Sequence, residues 1–290
     1  MSRNNMDRLG LGDGSNEPIH ADPPIANQNA GSTPLAFSAP TEHVELPSGG
    51  KYYPPGHALH NSATIEIKYL TAKEEDILTS ASLMKKGLTI ERLLRSIIVD
   101  KTIDPQNLLT GDRNAILVAS RKTGYGATYK AQLACPSCLE RVLWEINLEE
   151  LTLSPGGCAQ ADGFDVIQNE DNSFDVTLPR SKVVVTLGLL TGRDESTLSA
   201  TLQKRKKHKL EENLLTQQLA IMIKAVNGSS QPQDIQSLVE FLPAFDSRYV
   251  RTVYSIIMPN VDMNYDFECP QCAFDATLEV PLTAEFFWPK

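Results

Sequence analysis

The chain reads as an α+β protein made of two internally duplicated halves, each running strand–helix–helix–hairpin. Three observations predict this. Two Cys-Pro-X-Cys pairs, Cys135-Pro136-Ser137-Cys138 and Cys269-Pro270-Gln271-Cys272, each sit between alternating apolar runs. A strand-to-helix pattern recurs at an offset of 120, Ile65–Leu78 on Val185–Leu198. A helix-to-cysteine pattern recurs at an offset of 134, Leu108–Cys138 on Leu242–Cys272. Two hairpin tips facing each other would join the halves through a four-cysteine, zinc-ribbon-like site.

The elements follow in order. Residues 1–41 are rich in Asn, Gly, Ser and Pro with few large apolar groups, the composition of a disordered tail. Residues 42–61 hold Leu46-Pro47-Ser48-Gly49-Gly50 and Tyr52-Tyr53-Pro54-Pro55, which predict an extended Pro/Tyr arm laid over a surface, its own or a neighbour's. A plain irregular linker is the alternative there. The first half spans 62–151. Ile65, Ile67 and Tyr69 alternate as in a strand, and Thr71 with Glu74 three residues on is a helix-opening pair. Ile90, Leu93, Leu94, Ile97 and Ile98 mark one face of a helix. Asp112 is placed to cap a further helix containing Ile116 and Leu117. Tyr129–Leu133 and Val142–Leu148 are the hairpin arms around the first cysteine pair.

Residues 152–181 read as a linker, and 182–290 as the second half. There Thr191 and Asp194 repeat Thr71 and Glu74, Asp246 repeats Asp112, and Met263–Phe267 and Ala276–Leu282 flank the second pair. The offset grows between Leu198 and Leu242, so Asp194–Asn227 is expected to be a lengthened helix, about four turns or roughly 20 Å longer if continuous. Lys204-Arg205-Lys206-Lys207-His208-Lys209 lies inside it and lacks a large apolar residue, so this segment should project from the body. Nucleic-acid binding is one reading of that run. A solvated helix face paired with Glu211 and Glu212 is the other, and the net charge of −9 favours it.

Cys135, Cys138, Cys269 and Cys272 are the candidate metal ligands. Four thiolates form a closed tetrahedral shell that suits Zn²⁺, with iron or an iron–sulfur cluster as the alternative. Disulfides fit less well, because five cysteines leave one over and no secretory signal opens the sequence. Redox pairs of the thioredoxin type open a helix, whereas these lie between strands. Leu139 and Ala273 follow the second cysteine where glycine is common, and Cys158 is a bystander.

Catalytic signatures are missing. No phosphate-binding glycine loop and no nucleophile elbow occur, and His20, His43, His57, His60 and His208 all lie away from the cysteine pairs. His57 and His60 have a metal-compatible spacing but follow a proline-rich segment. No apolar run approaches the ~18 residues of a membrane span. The expectation is a protein without enzymatic activity that positions other proteins.

In sequence order, Leu46-Pro47-Ser48-Gly49-Gly50, Tyr53-Pro54, Tyr69-Leu70-Thr71, Leu108–Arg113, Arg121, Gly124-Tyr125-Gly126 and Cys135–Cys138 resemble the baseplate hub family of T-even-like contractile-tailed bacteriophages. The likeness is close over Val44–Leu151 and looser through Cys269 and Cys272. It implies a structural protein of the tail baseplate, hub or hub-proximal, that contacts other phage tail proteins in a hetero-oligomer. It also implies residence in the host cytoplasm during assembly and then in the virion tail. A transient assembly factor and a nucleic-acid-binding zinc ribbon are the alternative readings.

Overall fold

Thr41–Glu45 (β1) and Thr64–Lys68 (β2) pair antiparallel, with Val44 opposite Ile65 and Glu42 opposite Ile67. Alternation places Ile65 and Ile67 in the core. The structure, a computed structural model, describes residues 39–158, 163–207, 213–280, 282 and 284–287. Almost all of the expected tail, and His208, Lys209, Glu211 and Glu212, lie outside the described residues.

The segment expected as an extended arm is a strand followed by a folded turn. Gly49 and Gly50 adopt φ of +55° and +74°, and a Cβ on Gly50 would lie 2.4 Å from Leu59 O. This turn carries Ser48 and Tyr53 inward to a single carboxylate. The Ser48 N–H and hydroxyl donate to Asp112 at 3.0 and 2.6 Å, and the Tyr53 hydroxyl donates to it at 2.7 Å. Burial raises the Asp112 pKa, opposed by these donors.

Ala72–Thr79 (α1), Ala81–Lys86 (α2) and Thr89–Ile97 (α3) follow. Glu74 reaches back to the Thr71 N–H (3.1 Å) and hydroxyl (2.5 Å), as expected of a helix start. Leu93, Leu94 and Ile97 are buried, and Ile98 then bridges to Ile67. A 3₁₀ turn at Pro105–Asn107 leads into Thr110–Tyr125 (α4). Thr128–Ala134 (β3) and Arg141–Asn147 (β4) form the first cysteine hairpin, and Leu153–Ser154 (β5) follows.

Asp112 does not cap α4. Leu109 holds that position, and Asp112 sits in the first turn, where the helix dipole favours a carboxylate while donors arrive from another segment. Asp246 behaves alike, accepting the backbone N–H groups of Arg180 (2.9 Å) and Ser181 (2.8 Å).

Residues expected as a linker carry β5, Val166–Gln168 (β6) and Phe174–Thr177 (β7). The last two join Val184–Leu187 (β8) and Ile223–Val226 (β9) in an antiparallel sheet of order β6-β7-β8-β9. Between β8 and β9 run Gly192–Lys207 (α5) and Leu214–Met222 (α6). The lengthened helix to Asn227 is therefore not what forms: the chain leaves α6 at Met222, and Ile223 pairs with Leu187 as Ile98 bridges Ile67. Pro232–Phe241 (α7) occupies the stretch where the first half has its 3₁₀ turn. Ala244–Ile257 (α8), Asn260–Val261 (β10), Asn264–Glu268 (β11), Asp275–Glu279 (β12) and a 3₁₀ turn at Ala284–Phe287 complete the chain.

Two cores result. One gathers β1, β2, α3, α4 and both cysteine hairpins, while the other gathers β7, β8, α6, α7 and α8. The second cysteine hairpin packs with the first: Met263, Phe267 and Val280 are buried in the first core. Its route is set by β10, which pairs with β5, and by Gly111 on α4, where a Cβ would lie 1.8 Å from Pro259 O. A backbone bridge joins the cores, Thr110 N–H to Leu190 O and Gly192 N–H to Leu108 O, both at 3.0 Å. Arg113 forms an ion pair with Glu195 beside that bridge.

Glu74 generates a test. It is fully buried, and its carboxylate receives the Lys68 ammonium at 2.8 Å and the Ser96 hydroxyl at 2.5 Å besides Thr71. Burial alone would raise its pKa, but Lys68, Ser96 and Thr71 outweigh that and hold it at about 2, against an ordinary 4.5. A depressed carboxylate stabilises the fold fully above its unfolded pKa and loses that contribution as pH falls through the folded one. Glu74→Gln should therefore cost about 1–3 kcal/mol at pH 7. The difference from wild type should shrink between pH 4.5 and about 2, as followed by urea unfolding across that range.

Candidate metal centre

Each cysteine pair occupies the same kind of turn. In the β3–β4 hairpin the Leu139 N–H donates to Cys135 O at 2.9 Å, and the Cys135 N–H to Glu140 O at 2.9 Å. In the β11–β12 hairpin the Ala273 N–H donates to Cys269 O at 2.9 Å, and the Cys269 N–H to Phe274 O at 2.8 Å. Leu139 and Ala273, which stand where glycine is common, take left-handed φ values of +62° and +53°. Both residues are exposed, Leu139 to 76%, so only the local backbone cost of that conformation is borne.

Facing of the two hairpins is imposed by aromatic packing and hydrogen bonds. Trp144 on β4 meets Tyr265 and Phe267 on β11 edge-on, with ring centroids 5.7 and 5.5 Å apart. The Tyr265 hydroxyl donates to Glu150 at 2.8 Å and accepts the Asn147 N–H at 3.1 Å.

These contacts bring Cys135, Cys138, Cys269 and Cys272 together, with all four sulfurs within 4.8 Å of one another. Cys135 and Cys272 Sγ are 3.7 Å apart, and Cys138 and Cys269 Sγ 3.8 Å. Cys135 and Cys269 are buried, Cys138 is half-buried and Cys272 exposed. Cys158 packs against the second core and stands apart from the group. His57 stacks on Tyr53 and accepts the Leu59 N–H, and a His60 ring nitrogen lies 2.7 Å from Tyr53 O, so both serve the turn they occupy.

Electrostatics inside the group are uneven. Burial pushes the Cys135 thiol up, but the Cys138 and Ser137 backbone N–H groups and the neighbouring thiols bring it down to about 7. The Glu140 backbone N–H favours the Cys138 thiolate, yet burial and the neighbouring sulfurs push that thiol up to about 12. Four thiolates this close repel one another, and a bound cation is what lets them ionise together. The donor set can hold a metal ion.

The left-handed turn positions can be probed directly. That conformation costs an L-residue about 1–2 kcal/mol, while glycine costs about 0.5–1 kcal/mol through chain entropy. Ala273→Gly should therefore raise stability by up to ~1 kcal/mol, whereas Ala276→Gly, within β12, should lower it by a similar amount. Chemical denaturation of the two variants beside wild type measures both.

Among the described residues, no helix is long and apolar enough to cross a membrane. No curated protein and no solved structure matches the chain. A family model described as T4 bacteriophage base plate protein matches residues 39–288, a stretch that contains both cores and both cysteine hairpins, and the chain belongs to that family.

Proposed function

We propose that this baseplate protein is a non-enzymatic structural subunit, hub or hub-proximal, whose paired cysteine hairpins hold one Zn²⁺. The convergence of the four sulfurs carries this reading. A tetrahedral zinc with bonds of about 2.3 Å sets its sulfurs about 3.8 Å apart, and the observed 3.7 and 3.8 Å fit that shell. Four protein ligands leave zinc no open position for substrate, so the ion would act structurally and add its binding energy to folding.

The same reading takes the two halves as a duplication. In support, Thr191 donates to Asp194 as Thr71 does to Glu74. Both Asp112 and Asp246 accept donors from the turn after a paired strand. Those turns share Leu-Pro, at Leu46-Pro47 and Leu178-Pro179, and then a left-handed residue, Gly50 or Lys182. The ion then ties a hairpin of one half to a hairpin of the other.

Partners are other tail and baseplate proteins. Lys204 and Lys207, exposed on the last turn of α5, suit an acidic face on a neighbour, since charge complementarity sets register and encounter rate. A net charge of −9 weighs against nucleic acid as the partner.

Elemental analysis of protein purified without added metal should find one zinc per chain, unchanged by Cys158→Ser and lost with Cys138→Ser or Cys272→Ser. Iron instead of zinc would overturn the choice of ion, and no metal would overturn the centre. Mass spectrometry of purified virions should find the chain at constant copy number. Its presence in assembly intermediates alone would make it an assembly factor that departs.

A further inference from the structure

Two arginines are buried in α4, and the structure uses them unequally. Arg121 spends Nε, Nη1 and Nη2 on the carbonyls of Phe286, Gly126 and Thr128. Arg113, 8% exposed, gives Nη1 to Glu195, but its Nε is sealed from water and has no hydrogen-bond partner among the described residues. A buried donor without an acceptor is destabilising, and native structures keep few of them. Arg113 lines a cleft of about 520 Å³ between α3, α4, α5 and the base of the second cysteine hairpin.

The rest of that cleft says what would complete the arginine. Ile90 and Leu282, both half-buried, give it an apolar wall. Glu195 and Glu279, both exposed, stand in it as well, and their charge opposes a doubly charged phosphate more than a carboxylate. Nε and Nη2 form the side edge of the guanidinium, whose two parallel N–H groups match the two oxygens of a carboxylate. Ser196 and Ser199 are exposed along the α5 side, so a polypeptide can lie across the opening.

Resting on the baseplate reading, we propose that this cleft receives an aspartate or glutamate side chain of a different baseplate protein. Its carboxylate sits on the Nε–Nη2 edge of Arg113, and its stem lies against Ile90 and Leu282. The guanidinium turns on its stem to present that edge, and the Glu195 side chain, 43% exposed, follows it. Docking there ties α5 to the base of the second cysteine hairpin, so the neighbour reads both cores at once.

Photocrosslinking in assembled baseplates tests the assignment. Ser199→p-benzoylphenylalanine probes the cleft, and Thr197→p-benzoylphenylalanine, about 200° around the exposed helix, is the control. Light should join position 199 to one polypeptide other than this chain, at a peptide that contains Asp or Glu, with no such adduct from position 197. Arg113→Lys keeps a charge for Glu195 but removes the paired N–H edge. Ser196→Glu instead places a competing carboxylate in the cleft. Each, added to the position 199 probe, should cut the adduct yield about tenfold, the loss of roughly one charge-assisted hydrogen bond, at unchanged metal content. Where Arg113→Lys fails to fold, Ser196→Glu decides alone. Baseplates that contain the probe but give no adduct, adducts only between copies of this chain, an equal adduct from position 197, or a yield that Ser196→Glu leaves unchanged would each overturn the proposal and leave the baseplate reading standing. A small organic acid held by the purified chain in native mass spectrometry, and lost with Arg113→Lys, would overturn it too. Absence of the chain from baseplates would overturn both.

Discussion

Everything downstream of Pro259 depends on a close backbone approach at Gly111. A side chain there would overlap the Pro259 carbonyl, so the chain crosses from the second core to the first only because α4 offers a bare helix surface at that point. Once across, β10 pairs with β5, and β11–β12 is delivered beside β3–β4. The cysteines meet because the backbone has been routed there, and Trp144 with Tyr265 and Phe267 sets the final orientation.

The thiol group and this crossing reinforce each other. Without a cation, mutual repulsion keeps part of the thiol group protonated. With one, separation of β11–β12 from the first core must break metal bonds as well as aromatic packing. Phe286 and Phe287 add a third restraint, since the Arg121 guanidinium donates to Phe286 O at 3.0 Å from within the first core. A hairpin held by packing and a buried cation, with ligation added once a metal is bound, would resist shear in a way that packing alone does not.

The candidate site was the most legible part of the sequence. Cysteine spacing is a local quantity, and the alternating arms around each pair announce hairpins without tertiary information. The Thr71–Glu74 and Thr191–Asp194 pairs were legible for the same reason. What the sequence hid was the partner of each buried face. Alternation says that Phe267 is inward but not which core receives it. Asp112 and Asp246 looked like caps because an acid before apolar periodicity usually is one. Their donors come from turns more than 60 residues away in sequence. Ile223–Val226 is too short an apolar run for periodicity to separate helix from strand, and only the free edge of β8 decides it. Tyr53 read as a contact residue of an arm, when its hydroxyl is part of the Asp112 network.

If the proposed duplication holds, the places where the halves differ carry as much meaning as those where they agree. Local devices are kept: the reach-back acid at a helix start, the carboxylate that gathers a strand's turn, and the cysteine knuckle. Contact faces are not. Gly111 and Gly192 mark surfaces that approach another backbone or a buried arginine inside the chain, and a Cβ on Gly192 would sit 2.5 Å from Arg113. The residues at like positions, Phe245 and Ala72, are exposed. On the duplication reading, one repeated contact could not tile indefinitely, since the fit that closes the internal joint is absent at the like position.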